Sequence, residues 1–130
     1  MHHLKIYQKL HSHFDPQHWW PVTLENELMP KYHKNIILTE RQKLEICFGA
    51  ILTQNTNWKN VGKVIIELNK NKLIDVNKIL KIKNNKLAKI IKSSGYHNQK
   101  AKKLKNFCQF LSKNYNGKLN LFFKNNIETL

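Results

Sequence analysis

Long stretches of this sequence contain neither glycine nor proline. Three prolines and four glycines serve all 130 residues, too few for a turn-rich β-sandwich. Within those stretches, apolar residues return at steps of three and four, the repeat of a helix with one buried face. Thr39 is placed to cap a helix beginning at Glu40, with Leu44, Cys47, Phe48, Ile51 and Leu52 on one stripe. Asn57 is placed to cap the next, whose inner face is Trp58, Val61, Ile65 and Leu68. Asp75 precedes a short helix carrying Val76, Ile79 and Leu80. Leu87, Ile90 and Ile91 mark another, stopped by Gly95. Asn98 is expected to cap a longer helix through Ala101, Leu104, Phe107, Cys108 and Leu111, ended by Asn116-Gly117. Leu119, Phe122 and Phe123 suggest one further turn or two. The pattern reads as an all-α helical bundle.

The N-terminal part is organised differently. Leu4, Tyr7, Leu10 and Phe14 suggest a short amphipathic helix that Asp15-Pro16 ends. A polar-aromatic loop, Gln17-His18-Trp19-Trp20-Pro21, follows. Residues 22 to 38 show no period, and Met29-Pro30 would break a helix there, so they read as an irregular insertion. The expected organisation is therefore 1–21, helix and Trp-Trp-Pro loop; 22–38, insertion; and 39–130, helical bundle.

The formal charge is +15. Such an excess favours a polyanionic partner, usually nucleic acid. Of the 23 basic residues only Arg41 is an arginine, and Lys with Asn also fits drift in an AT-rich genome. Charge alone is thus a weak argument. Cys47 and Cys108 form no C-x-x-C or Cys/His cluster, so no zinc or iron–sulfur site can be assembled from this segment and buried free thiols are expected. Met1 to Trp20 lacks the apolar core and cleavage site of a secretory leader, and no apolar run is long enough to span a bilayer. The expected location is cytoplasmic, with the nucleoid, and away from membranes.

Two segments could carry chemistry. Adjacent tryptophans cannot both enter one core from a regular helix. Trp19-Trp20, stiffened by Pro21, could form a stacking wall for a planar ligand such as a base. The alternative is a hydrophobic plug on the bundle. The second segment, Thr53-Gln54-Asn55-Thr56-Asn57, joins two helices through polar side chains. Gln54 and Asn55 could read base edges or fill a gap in a duplex. The helix N-terminus at Asn57 could hold a phosphate, with Lys59 and Lys63 adding charge. The alternative is ordinary capping, with Gln54 solvated.

The string GAILTQNTNWKNV (Gly49 to Val61), followed by GYHNQKAKKLK (Gly95 to Lys105), resembles the endonuclease III-like, helix-hairpin-helix (HhH-GPD) superfamily of DNA glycosylases. The upstream Trp-Trp-Pro narrows the likeness to the 3-methyladenine glycosylase branch of Helicobacter-type bacteria. The resemblance implies a two-lobed helical fold, of which this chain is the N-terminal part. It implies an enzyme that hydrolyses the N-glycosidic bond of alkylated purines such as 3-methyladenine. Its partner would be double-stranded DNA with the damaged base flipped out, engaged by a monomer. Gln54 would enter the gap left by the flipped nucleotide. Trp19, Trp20, Pro21 and Trp58 would line the base pocket, where stacking and cation–π attraction favour a positively charged base. Asn55, Asn57, Lys59, Lys63 and Lys100 would contact DNA, and Tyr96 and Ala101 would pack at the Gly95 junction.

The likeness also has gaps. Residues 22 to 43 exceed the family's usual link. The family's Gly-rich hairpin, and the catalytic aspartate just after it, are missing. Asp15 and Asp75 are the only aspartates, and neither follows a hairpin. The expectation is a fragment truncated before Leu130 reaches the hairpin, without excision activity of its own. No cofactor is expected in this segment, and the cysteines of a [4Fe–4S] cluster, where relatives have one, would lie beyond it. Two further readings compete with the enzyme: a non-catalytic basic helical module that binds DNA, and a non-functional gene remnant.

Overall fold

The computed structural model describes residues 21–32 and 37–121. The expected N-terminal helix, Trp19, Trp20, Phe122 and Phe123 lie outside the described residues. Five α-helices follow one another: α1 (Glu40–Leu52), α2 (Trp58–Lys70), α3 (Val76–Lys81), α4 (Asn84–Ile90) and, after a 3-10 turn at Lys92–Ser94, α5 (His97–Tyr115). Among the described residues the one β feature is an isolated antiparallel bridge between Val22 and Lys31.

The caps follow from side-chain chemistry. Thr39 accepts from the Gln42 amide at 3.1 Å while the Gln42 side chain accepts from the Thr39 amide at 2.9 Å, a reciprocal capping box. Asn57 and Asp75 cap α2 and α3 by accepting from Asn60 N and Lys78 N. The expectation fails at α5. Its N-cap is Tyr96, in left-handed backbone at φ +47° and without a side-chain cap, and Asn98 lies inside the helix. Gly95, at φ +72°, and Tyr96 turn the chain together. Tyr96 is exposed rather than packed at the junction, while Ala101 is buried.

The single stripe expected on α1 is also corrected. Every residue from Leu44 to Leu52 is buried, so α1 beyond its polar first turn is enclosed on all sides, as a helical stretch apolar nearly all round must be. It packs against α2 and α5, and α5 in turn carries α3 and α4. Phe48, Ile65, Leu68, Leu87, Leu104 and Leu111 fill the shared core, each fully buried side chain worth about 1.5–3 kcal/mol. Residues 119–121 begin another helical turn, with Leu119 buried. Glu40 accepts from the amides of Leu119 and Asn120, tying this end to α1.

The segment read as an irregular insertion is held tightly. Pro21, Val22 and Thr23 are buried. Thr23 N donates to Glu45 Oε2 at 2.8 Å, and the Thr23 carbonyl accepts from Arg41 and Gln42. Asn69 Nδ2 donates to Thr23 Oγ1 and Leu28 O, and Asn69 Oδ1 accepts from Arg41 at 2.9 Å. A polar clamp thus fixes residues 22–31 across α1 and α2, where periodicity had given no signal.

Candidate nucleic-acid interface

The α1–α2 junction is a compact turn. Thr53 N closes α1 onto Gly49 O, and the Thr53 hydroxyl donates to Ala50 O. Asn55 takes φ +61°, a backbone that asparagine tolerates better than most residues. Asn60 Nδ2 donates back to Thr56 Oγ1 at 3.0 Å. Asn55, Asn57, Lys59 and Lys63 are exposed on this face, and Gln54 and Trp58 are half-buried.

Two lysines from α5 support the turn. Lys100 Nζ donates to Leu52 O at 2.7 Å and to Ser94 O at 2.6 Å. Leu52 O belongs to the last turn of α1, where carbonyls lack helical partners. Lys100 is 2% exposed, so the expected phosphate contact is corrected: its ammonium is spent inside, joining α1 to the 3-10 turn. Burial, and then the neighbouring Lys103, push its pKa below the usual lysine range. Lys103 Nζ donates to Gln54 Oε1 at 2.7 Å and holds that amide at the surface of the turn. Lys105 donates to the Ile82 carbonyl.

Trp58, the first residue of α2, stands on the wall of an apolar cavity of about 320 Å³. Met29 and Pro30 of the clamped loop also line it, together with Lys59, Gly62, Lys63 and Ile66 of α2. A methyl group at Gly62 would meet nothing within 4 Å, so the helix leaves this space open. Pro21 is buried and not part of this lining. The sequence reading missed Met29-Pro30 and Lys103. An apolar pair in an otherwise polar loop, and a lysine one turn beyond Lys100, were the available signals.

The thiols are remote from metal or nucleophilic chemistry. Burial raises the Cys47 pKa well above its ordinary value, with Cys108 and Glu40 adding to it. Burial, then Asp75, push Cys108 up to about 12. Among the described residues no group of three His, Cys, Asp or Glu could hold a metal ion, and no helix is long and apolar enough to cross a membrane.

The model of the HhH-GPD superfamily of base excision DNA repair proteins matches residues 48–127, and the chain belongs to that superfamily. It is 37% identical over 111 residues to a Methanocaldococcus jannaschii protein named "Putative DNA repair glycosylase". It superposes on the H. pylori 3-methyladenine DNA glycosylase bound to 1,N6-ethenoadenine with a TM-score of 0.61 and 25% identity. The two alignments take in 85% and 92% of this chain, but only 42% of the first relative and 53% of the second.

Proposed function

We propose that this chain is the damage-reading part of a DNA N-glycosylase for alkylated purines such as 3-methyladenine. The observation that carries the reading is Trp58, half-buried on the wall of an apolar slot and directly after the polar turn. A base swung out of a duplex needs an aromatic face to replace its lost stacking. It also leaves a gap, which Gln54, bonded to Lys103 in the polar turn, would fill. Asn55 and Asn57 flank the turn, and Lys59 and Lys63 supply positive charge beside the slot. The solved relative that binds ethenoadenine supports an alkylated or extended purine as the ligand. Trp19 and Trp20 are proposed to add the second stacking face, as the resemblance implies.

A carboxylate must still stabilise the oxocarbenium-like sugar or activate water. Asp75 Oδ1 accepts from Lys78 N at the start of α3, and Glu40 and Glu45 accept from backbone amides. None of these lines the slot. The 130 residues on their own should therefore bind damaged DNA without releasing the base, and release of 3-methyladenine by this chain would contradict that. The absence of any described carboxylate from the slot lining favours a second reading, a basic module that binds DNA without chemistry.

The test is the ratio of affinities for duplexes with and without a single 1,N6-ethenoadenine. The wild-type chain should favour the damaged duplex. Trp58→Ala should lose roughly 5- to 150-fold of that preference, since base–aromatic stacking is worth about 1–3 kcal/mol. A ratio of one for the wild type would favour the non-selective module.

A further inference from the structure

The slot at Trp58 shares a lining residue with a second, larger feature. Lys63 lines both the slot and an open groove of about 960 Å³ between α2 and the α4–3-10 segment. Across the groove stand Lys86, Lys89 and Lys92, one every third residue along α4 and into the 3-10 turn. All four lysines are exposed. The acid in the groove is Glu67, and Lys70 engages it at 3.5 Å.

Several lysines are used by the bundle itself. Lys43, Lys100, Lys103 and Lys105 each donate to a protein oxygen. The ammonium groups of Lys63, Lys86, Lys89 and Lys92 have no hydrogen-bonding or ion-pairing partner among the described residues. Like charges facing one groove repel, and a partner of opposite charge relieves that repulsion. Lys63 is a DNA contact that the family resemblance implies; Lys86, Lys89 and Lys92 carry no motif in the sequence.

We propose that this groove is a track for the sugar–phosphate backbone of duplex DNA flanking the flipped nucleotide. It would take phosphates from Lys63 at the slot outward past Lys86, Lys89 and Lys92. The observation that selects DNA backbone as the occupant is continuity: one lysine is shared by the base slot and the groove. The proposal rests on the reading of the slot as a DNA site. It adds a direction, since the strand leaves Trp58 along α2 toward α4. Contacts of this kind position the duplex without reading its sequence.

The experiment compares the 130-residue chain with Lys86→Gln/Lys89→Gln/Lys92→Gln by fluorescence anisotropy on duplex DNA over a range of salt. Each lost phosphate contact lowers the slope of log affinity against log salt by about 0.9. The triple variant should therefore lose about 2 to 3 from the slope. A control triple, Lys78→Gln/Lys81→Gln/Lys118→Gln, removes equal charge from exposed sites outside the groove and should leave the slope nearly unchanged. All the altered side chains are exposed, so melting temperatures should match the wild type. Equal losses in both triples, or none in the groove triple, would overturn the track. The fate of the slot is read separately. The groove triple should weaken damaged and undamaged duplexes alike and leave their ratio intact. A wild-type ratio of one beside a reduced slope in the groove triple would sink the slot reading and leave the track standing.

Discussion

The clamp around Thr23 and the turn from Thr53 to Asn57 are both built from polar side chains, but they are saturated to different degrees. In the clamp, Thr23, Gln42 and Glu45 are buried, and with Arg41 and Asn69 they satisfy one another. In the turn, Asn55 and Asn57 are exposed, and Gln54 makes its bond to a lysine at the rim. Buried polar groups that use up their capacity on each other build structure. Polar groups with capacity left at a surface are available to a ligand. The comparison therefore assigns the clamp to stability and the turn to binding, and mutations should separate the two.

The largest effect is expected at the clamp. Glu45→Ala leaves the Thr23 amide without its acceptor in a buried site, and should cost about 3 kcal/mol in urea denaturation. Affinity for undamaged duplex DNA, which leaves the slot empty, should not change per folded molecule. A stability loss below about 0.5 kcal/mol, the range of ordinary surface changes, would break the contrast between the two regions.

Lys100→Met should come next. It removes the donor to Leu52 O and Ser94 O, at about 2 kcal/mol. The same residue sets a pH dependence. Its folded pKa is lowered by burial and by Lys103, so the unfolded chain holds this proton more tightly. The linked stability is fully present above the ordinary lysine pKa of about 10.4 and is lost as pH falls through the lowered folded value. Wild type minus Lys100→Met should thus grow with pH in the alkaline range. A flat difference in melting experiments would mean that Lys100 is not shifted.

Smaller effects belong to the rim. Lys103→Met should barely alter the melting temperature but weaken duplex binding roughly threefold, under 1 kcal/mol, because Gln54 loses its support. If stability falls and binding holds, Lys103 belongs with the clamp as a structural residue. The smallest expected change is none. Cys47 and Cys108 are buried with raised pKa values, so iodoacetamide at mildly alkaline pH should leave both unmodified until the chain unfolds.

What the sequence made legible followed from local chemistry. Thr39, Asn57 and Asp75 announce helix starts because a side-chain oxygen satisfies an amide three residues on. Asn98 misled because Gly95 and Tyr96 turn the chain by backbone conformation, which carries no side-chain signature at Tyr96. Lys100 misled for a different reason. A lysine beside a helix start looks like a phosphate ligand until the tertiary structure brings Leu52 O beneath it, 48 residues away in sequence. The clamp was invisible because its partners are likewise distant, Thr23 to Glu45 and Leu28 to Asn69. Trp58 and Gln54 stood out as unusual residue types in a helix junction. That Met29-Pro30 and Trp58 line one cavity follows from the distant contacts of the clamp.

The central claim is that the saturated clamp builds the molecule while the turn meets DNA. Gln54→Ala tests it most directly when affinity is measured on the same damaged strand, once in a duplex and once alone. Only the duplex has a stack whose gap needs filling. The variant should lose roughly tenfold on the duplex, about 1.4 kcal/mol, and hold wild-type affinity on the single strand with an unchanged melting temperature. Equal losses on both strands, or a loss that tracks a lower melting temperature, would contradict the claim and return Gln54 to the role of a structural residue.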